Sequence, residues 1–122
     1  MPFARALGIE LLGASGEEVQ ARLGWSEDRC TAGGVLHGGA LMALADSTGG
    51  MCASLHLPPD ASGTTTVESK TNFLRAVRDR HVVATSRPLH VGRTVIVVET
   101  ELRDAEDRLV AKVTQTQLVL RP

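Results

Sequence analysis

The chemically most suggestive residues of this chain are a histidine, two glycines and an aspartate within ten positions: His37, Gly38, Gly39 and Asp46. Two glycines where a loop becomes a helix leave backbone N–H groups without side-chain cover, and such groups at a helix N-terminus stabilise an oxyanion. A tight turn into the helix explains the same glycines. His37 either donates a hydrogen bond to the same carbonyl or caps the helix. The cluster therefore suits attack on a carbonyl, with a purely structural turn as the alternative.

Asp46 is the only charged residue between Gly38 and Leu55. Burying a carboxylate among apolar side chains costs several kcal/mol unless a partner stabilises it. We therefore predict a buried Asp46 that acts as a general base, and the alternative is a structural aspartate that is hydrogen-bonded to a turn. Gly49 and Gly50 follow three and four positions later, and they leave room beside Asp46 for a ligand or for another backbone.

The spacing of His37 and Asp46 has a geometric consequence. Nine residues are two and a half helical turns, which places the two side chains ~13 Å apart and on opposite faces of one helix. One copy of the chain cannot bring both to one carbonyl. Two copies with antiparallel helices place His37 and Gly38 of one opposite Asp46 of the other. If the cluster is catalytic, we expect an obligate dimer with two shared sites.

The elements that must position this cluster follow an α+β pattern. The apolar segment from Gly38 to Leu55 predicts one long helix, which the Pro58-Pro59-Asp60 turn ends. Since this helix is apolar on every face, we expect a sheet to wrap it. Segments rich in Thr and Val predict strands after the helix, and two shorter strands are expected before it. The predicted strands cover residues 8–12, 18–23, 64–77, 82–89, 93–103 and 109–120, and residues 1–5 form a short turn or helix.

These elements combine into one predicted architecture. The segment from Val95 to Val98 is apolar on both strand faces, so we expect the helix to cover one face and a second subunit to cover the other. The predicted fold class is α+β, with one long central helix against a curved antiparallel sheet of five to six strands. A chain of 122 residues has the length of a single domain, here residues 1–122.

Composition excludes several classes of partner. Thirteen basic and fourteen acidic residues give a net charge of −1, and only three residues are aromatic, which argues against nucleic-acid binding. The first residues show no secretory signal, and the glycines and hydroxyls in the apolar helix argue against a membrane span. The four histidines lack the spacing of zinc ligands, so no metal site is expected. Cys30 and Cys52 are expected to be free thiols in a cytoplasmic protein.

Four segments carry a resemblance to a known family: LHGGALMALADSTGG, VESKTNFLRAV, GRTVIVVETELRD and LVAKVTQTQLVL. They resemble the hotdog-fold acyl-CoA thioesterases, most closely the phenylacetyl-CoA and hydroxybenzoyl-CoA branch, over about residues 7–120. The resemblance implies that a sheet wraps the helix and that dimers pair into tetramers. It also implies hydrolysis of an acyl-CoA to free acid and CoA, with no cofactor.

The resemblance also implies roles for individual residues. Asp46 matches the acidic residue that acts as nucleophile or general base, and Gly38 matches the glycine whose N–H polarises the thioester oxygen. His37 would orient the thioester or assist thiolate departure. Thr31 departs from the pattern where family members often carry Asn or Gln, and Gly50 departs where they often carry Ser or Thr. The other expected substrate contacts are Gly39 and, around the CoA phosphates, Arg87, His90 and Arg93, with Arg75 as a further candidate.

A thioester suits such sparse machinery, because thiolate is a good leaving group and one base, one water and one oxyanion donor suffice. An α/β-hydrolase is excluded by the short chain and by the absence of GxSxG. Two alternatives stay open: a hotdog dehydratase, and a hotdog module that binds acyl-CoA without catalysis. A binding module has no need of an unpaired buried carboxylate. Met42, Met51 and Phe73 are compatible with either an aryl or a medium aliphatic acyl group.

Overall fold

A computed structural model describes the whole chain from Met1 to Pro122. The elements occur in the predicted order, and the strand that was expected to end at Val77 ends at Phe73 instead. The regular pairing with the last strand stops at Phe73, because the N–H groups of Leu74 and Arg75 both donate to the Val110 carbonyl. The Val77 carbonyl accepts a hydrogen bond from the Leu36 N–H at 2.9 Å, in the loop that leads into the long helix. The elements are α1 (Pro2–Leu7), β1 (Glu10–Ala14), β2 (Val19–Gly24), α2 (Gly38–Ser54), β3 (Gly63–Phe73), β4 (His81–Val91), β5 (Val95–Asp104) and β6 (Leu109–Leu120), with a 3-10 turn at Glu27–Arg29.

The six strands form one antiparallel sheet in the order β1-β2-β4-β5-β6-β3. The predicted α+β architecture, with one long helix against an antiparallel sheet, is confirmed. β3 pairs only with β6, so the other side of this eleven-residue strand is an open sheet edge. The short strand β1 forms the opposite edge.

The core lies between α2 and the sheet and contains two apolar clusters. One surrounds Leu44 and the other surrounds Cys52 and Ile96, all fully buried. A layer of buried polar residues on α2, β4, β5 and β6 separates the two clusters, and we call it the polar band. Its members are Thr48, Ser86, Thr100, Gln115 and Gln117.

The sheet covers one side of α2 and leaves the other exposed. The uncovered face carries Gly39, Met42 and Asp46, with half-buried Ala43 and Gly50 beside them. The sheet therefore packs against the helix as expected, and a single copy leaves one helix face uncovered. A six-stranded sheet packs against one side of a helix, and a second layer is needed for the other. Neither helix has the length and continuous hydropathy that a bilayer crossing requires.

Candidate active site

His37 is the N-cap residue of α2. Its backbone is extended (φ −61°, ψ 136°), and its Nδ1 accepts a hydrogen bond from the Gly39 N–H at 2.7 Å. This bond satisfies one of the N–H groups that a helix start leaves unpaired. When Nδ1 accepts, a neutral imidazole carries its proton on Nε2. Because the side chain is exposed, Nε2–H can donate to a group outside the chain while His37 caps the helix.

The Gly38 N–H has no acceptor within the chain. The neighbouring donors are committed: Gly39 donates to the His37 ring, and the Ala40 and Leu41 N–H groups both donate to the His37 carbonyl. The expectation of two free glycine N–H groups is therefore corrected to one. The Gly38 N–H lies at the positive end of the helix dipole, where an oxyanion is stabilised. The ring of Phe73 lies beside Gly38, since a Cβ added to Gly38 would be 3.3 Å from the ring.

Asp46 is exposed in the single chain, so the prediction of a buried, unpaired carboxylate is wrong. The helix face that carries it is the one that the sheet does not cover. Its Oδ1 accepts a hydrogen bond from Gln115 Nε2 at 2.6 Å and a longer one from Thr66 Oγ1 at 3.4 Å. Oδ2 accepts no hydrogen bond from the chain and remains available to a ligand or a water molecule.

The groups that hold Asp46 come from the sheet. Thr66 lies on the edge strand β3 and accepts a hydrogen bond from Gln117 Nε2 at 2.7 Å, while Gln115 Nε2 is 3.3 Å from the same hydroxyl. Gly49 makes room for the Gln115 amide, because a Cβ at this position would overlap Gln115 Oε1. The space beside Asp46 that the glycines provide is therefore filled in part by a side-chain amide.

Sequence reasoning missed Thr66, Gln115 and Gln117. The sequence did contain a signal for the two glutamines, namely their position in the strand. Side chains alternate between the two faces of a strand. This alternation places Gln115 and Gln117 on the same face as Val113 and Val119, and two amides in an inward-facing row of valines call for a polar partner.

The structure keeps His37 and Asp46 apart within one chain. α2 is a continuous helix from Gly38 to Ser54, so the predicted ~13 Å separation on opposite faces applies. Gly39 and Gly50 lie on the Asp46 side of the helix. A site that brings both His37 and Asp46 to one substrate carbonyl therefore needs a second copy of the chain.

Two further predicted contacts lie near Gly38. Thr31 is exposed, and its N–H donates to the Val35 carbonyl at 2.9 Å. Thr31 and Arg75 line one hollow of about 410 Å³ together with Gly38 and Phe73. Arg75, which the sequence offered only as an additional candidate, is thus the predicted arginine that shares a hollow with Gly38 in one chain.

The remaining predicted cations lie towards the other end of α2, a helix ~25 Å long. Arg87 forms an ion pair with Glu18 at 3.2 Å. His90 and Arg93 flank the turn between β4 and β5, close to the strand segment that packs against the last turns of α2. One chain does not bring Arg87, His90 and Arg93 together with Gly38.

An apolar cavity of about 370 Å³ adjoins the Asp46 helix. It lies between α1, β1, β2 and α2, and α2 contributes Ser47, Thr48 and Met51. The Thr48 hydroxyl donates to the Leu44 carbonyl at 2.6 Å and is therefore occupied within the helix. No three His, Cys, Asp or Glu side chains come close enough to hold a metal ion.

Comparison with known proteins gives the family. Residues 33–111, more than half of the chain, match the family model described as Thioesterase superfamily. The chain belongs to the thioesterase superfamily. A Saccharolobus solfataricus protein, SSO2140, is 34% identical to this thioesterase over 115 residues, which are 94% of this chain and 81% of the relative.

Solved structures support the same assignment. Thioesterase HI1161 from Haemophilus influenzae superimposes with a TM-score of 0.92 and 28% identity, covering 98% of this chain and 82% of the other. A mutant of thioesterase PA1618 from Pseudomonas aeruginosa gives a TM-score of 0.92 and 28% identity, with 98% and 86% covered. The predicted resemblance to hotdog-fold thioesterases is confirmed, and membership of this superfamily indicates hydrolysis of thioesters.

Proposed function

We propose that this thioesterase hydrolyses an acyl-CoA with an aryl or a short to medium acyl group, at a site shared between two copies. The proposal rests on the way in which the carboxylate of Asp46 is held. Its Oδ1 is held by Gln115 and Thr66, while Oδ2 is free on an exposed helix face. A carboxylate held in this way can act on a thioester carbon directly or through a water molecule.

Two uncovered surfaces support the dimer. The exposed face of α2 carries the small residues Gly39, Ala43 and Gly50, which allow a second helix to approach closely. The open edge of β3 leaves backbone N–H and C=O groups unpaired along an eleven-residue strand, and such an edge favours pairing with another strand. Val67 and Phe73 on this strand are 59% and 51% exposed. A two-fold axis that pairs β3 with its copy and sets the helices antiparallel covers both surfaces at once.

In this dimer the two halves of the site meet. Asp46 of one copy faces the N-terminus of α2 of the other, where the Gly38 N–H is free. In the general-base route, Asp46 takes a proton from water, hydroxide adds to the thioester carbon, and the Gly38 N–H stabilises the oxyanion. The intermediate then expels the CoA thiolate, which accepts a hydrogen bond from His37 Nε2–H, and the proton that Asp46 took from water passes to the thiolate and leaves Asp46 ionised again. In the nucleophilic route, Asp46 adds to the thioester carbon and displaces the CoA thiolate, and water then hydrolyses the resulting mixed anhydride to the free acid and the Asp46 carboxylate.

The volume of the cavity beside α2 supports the proposed size of the acyl group. At about 370 Å³ it is near the lower end of the range for small-molecule pockets, which suits an aryl ring or a short to medium chain. Met51, five positions after Asp46 on α2, lines it. Arg75 lines the same hollow as Gly38 and would meet a CoA phosphate there. The exposed residues Arg87, His90 and Arg93 would extend this phosphate-binding rim in the dimer. The free thiols Cys30 and Cys52 suit a reducing compartment, and we propose the cytoplasm.

The substitution Asp46→Asn tests this function. It keeps the shape of the side chain and removes its basicity, so kcat should fall at least ~100-fold while a non-hydrolysable thioether analogue of acyl-CoA still binds. Release of free CoA thiol measures turnover. Cys30 is half-buried and its thiol adds background, so the comparison uses the Cys30→Ser protein throughout.

Each alternative gives a different result. Full activity of the Asp46→Asn protein would overturn the mechanism. Binding without thiol release by the unaltered site would support an acyl-CoA-binding module instead. Dehydration of a 3-hydroxyacyl-CoA without thiol release would support a dehydratase.

A further inference from the structure

Gln115 occupies an unusual position in the core. The residue is fully buried, and its Oε1 is one of two buried side-chain polar atoms that have no hydrogen-bond partner. A buried amide oxygen without a partner destabilises the folded state, so stability does not explain a glutamine here. Its Nε2 makes the short 2.6 Å contact to Asp46 Oδ1.

The surroundings fix the amide in this orientation. Gly49 faces it from α2, and a Cβ at that position would overlap Oε1 and lie 3.2 Å from Cδ. Thr100 of the polar band is on the same side of the amide, and its hydroxyl is paired with Ser86 at 2.6 Å. Since an ionised carboxylate only accepts hydrogen bonds, the amide N–H₂ group must be the one directed at Asp46. The amide is held between helix and sheet with its donor towards the carboxylate.

We propose that Gln115 is a positioning residue for the reaction: it fixes the Asp46 carboxylate through Oδ1, so that Oδ2 faces the thioester or the attacking water. Gly49 is part of the same arrangement, because only glycine admits the amide between α2 and the sheet. This proposal rests on the proposed function of Asp46. It adds that the orientation of the catalytic carboxylate is set from β6, through a residue that does not touch the substrate.

Gln117 provides a matched control. It lies two positions further along the same strand, on the same inward face, and it is 1% exposed. Its Nε2 donates to Thr66 at 2.7 Å and makes no hydrogen bond to Asp46. The two glutamines therefore share residue type, strand, burial and neighbourhood, and they differ in their contact with the carboxylate.

The test compares Gln115→Met with Gln117→Met. Methionine keeps the approximate volume and removes the donor, and the melting temperature of each variant verifies that it folds. We expect Gln115→Met to lower kcat for thioester hydrolysis about tenfold to a hundredfold, as for loss of a hydrogen bond to a charged group, with KM changed less than about twofold. Gln117→Met should lose no more than about threefold in kcat. Gly49→Ala, which displaces the amide by another route, should reproduce the fall in kcat at similar KM.

Two results would overturn the proposal: an unchanged kcat in Gln115→Met, whether or not KM rises, or equal losses of kcat in the two glutamine variants. Measuring Asp46→Asn in parallel distinguishes failure of the positioning role of Gln115 from failure of the proposed function. If Asp46→Asn is inactive and Gln115→Met is fully active, the function stands and the positioning role is wrong. If Asp46→Asn is fully active, both are wrong.

Discussion

The single free N–H at the start of α2 leads to a sharp prediction for Gly38→Pro. Proline removes the N–H, and it is tolerated at the first position of a helix. His37 already has the extended conformation that a residue before proline adopts, with φ −61° and ψ 136°. The substitution should therefore delete the donor while α2 still forms.

The expected magnitude follows from the hydrogen bonds of the first turn. The Gly39 N–H is committed to the His37 ring and the Ala40 and Leu41 N–H groups to the His37 carbonyl, so no neighbour replaces the lost donor. Loss of one oxyanion donor lowers kcat about 100- to 1,000-fold, or ~2.7–4 kcal/mol of transition-state stabilisation. We expect a loss in this range.

Gly38→Ala is the matched control. It adds a Cβ 3.3 Å from the exposed ring of Phe73 but keeps the N–H, so it measures the cost of the added bulk alone. Steady-state thiol release gives kcat for both variants, and circular dichroism and thermal melting verify the helix. If the proline variant has the same kcat as the alanine variant, the Gly38 N–H does not stabilise the oxyanion.

Two further predictions concern stability. Leu44→Ala removes a fully buried side chain from the larger apolar cluster and should lower the free energy of unfolding by about 2–5 kcal/mol, measured by urea denaturation; a loss well below 1 kcal/mol would contradict the described core. Arg121 donates to Asp60 at 2.7 Å, and this hydrogen bond holds the pKa of Asp60 below its ordinary value of 3.8. A carboxyl group whose pKa is lower in the folded state stabilises the fold when the pH is above the pKa of the unfolded state. This stabilisation is lost as the pH falls through the pKa of the folded state. Arg121→Gln should therefore lower the melting temperature most above about pH 4. The difference in melting temperature between the variant and the unaltered protein should shrink as the pH falls below 3.8. A difference in melting temperature that does not depend on pH would contradict the ion pair.

Local patterns were sufficient to predict most elements. The start of α2 at Gly38 follows from the change from a glycine-rich loop to an apolar run, and β6 covers Leu109–Leu120 as predicted. The alternation of Val19, Ala21 and Leu23 with other residues coincides with the buried face of β2. In each of these segments the information lies within a few neighbouring residues.

The surroundings of Asp46 could not be predicted in this way. Its partners Thr66 and Gln115 are 20 and 69 positions away in sequence, and only the pairing of β3 with β6 brings them together. The apolar composition of α2 also conceals which face the sheet covers, since residues on every side are small or apolar. The inference that Asp46 is buried failed for this reason, whereas its separation from His37 depended only on helix geometry.

The shared site is the central claim, and mixing two inactive variants tests it most directly. Asp46→Asn and Gly38→Pro subunits are purified separately, dissociated, mixed in equal amounts and reassociated, and thiol release is then measured. If each site combines Asp46 of one copy with Gly38 of the other, a mixed dimer contains one intact site and one doubly altered site. Random association then restores about a quarter of the unaltered activity. Activity that stays at the average of the two parent variants would contradict a site shared between copies.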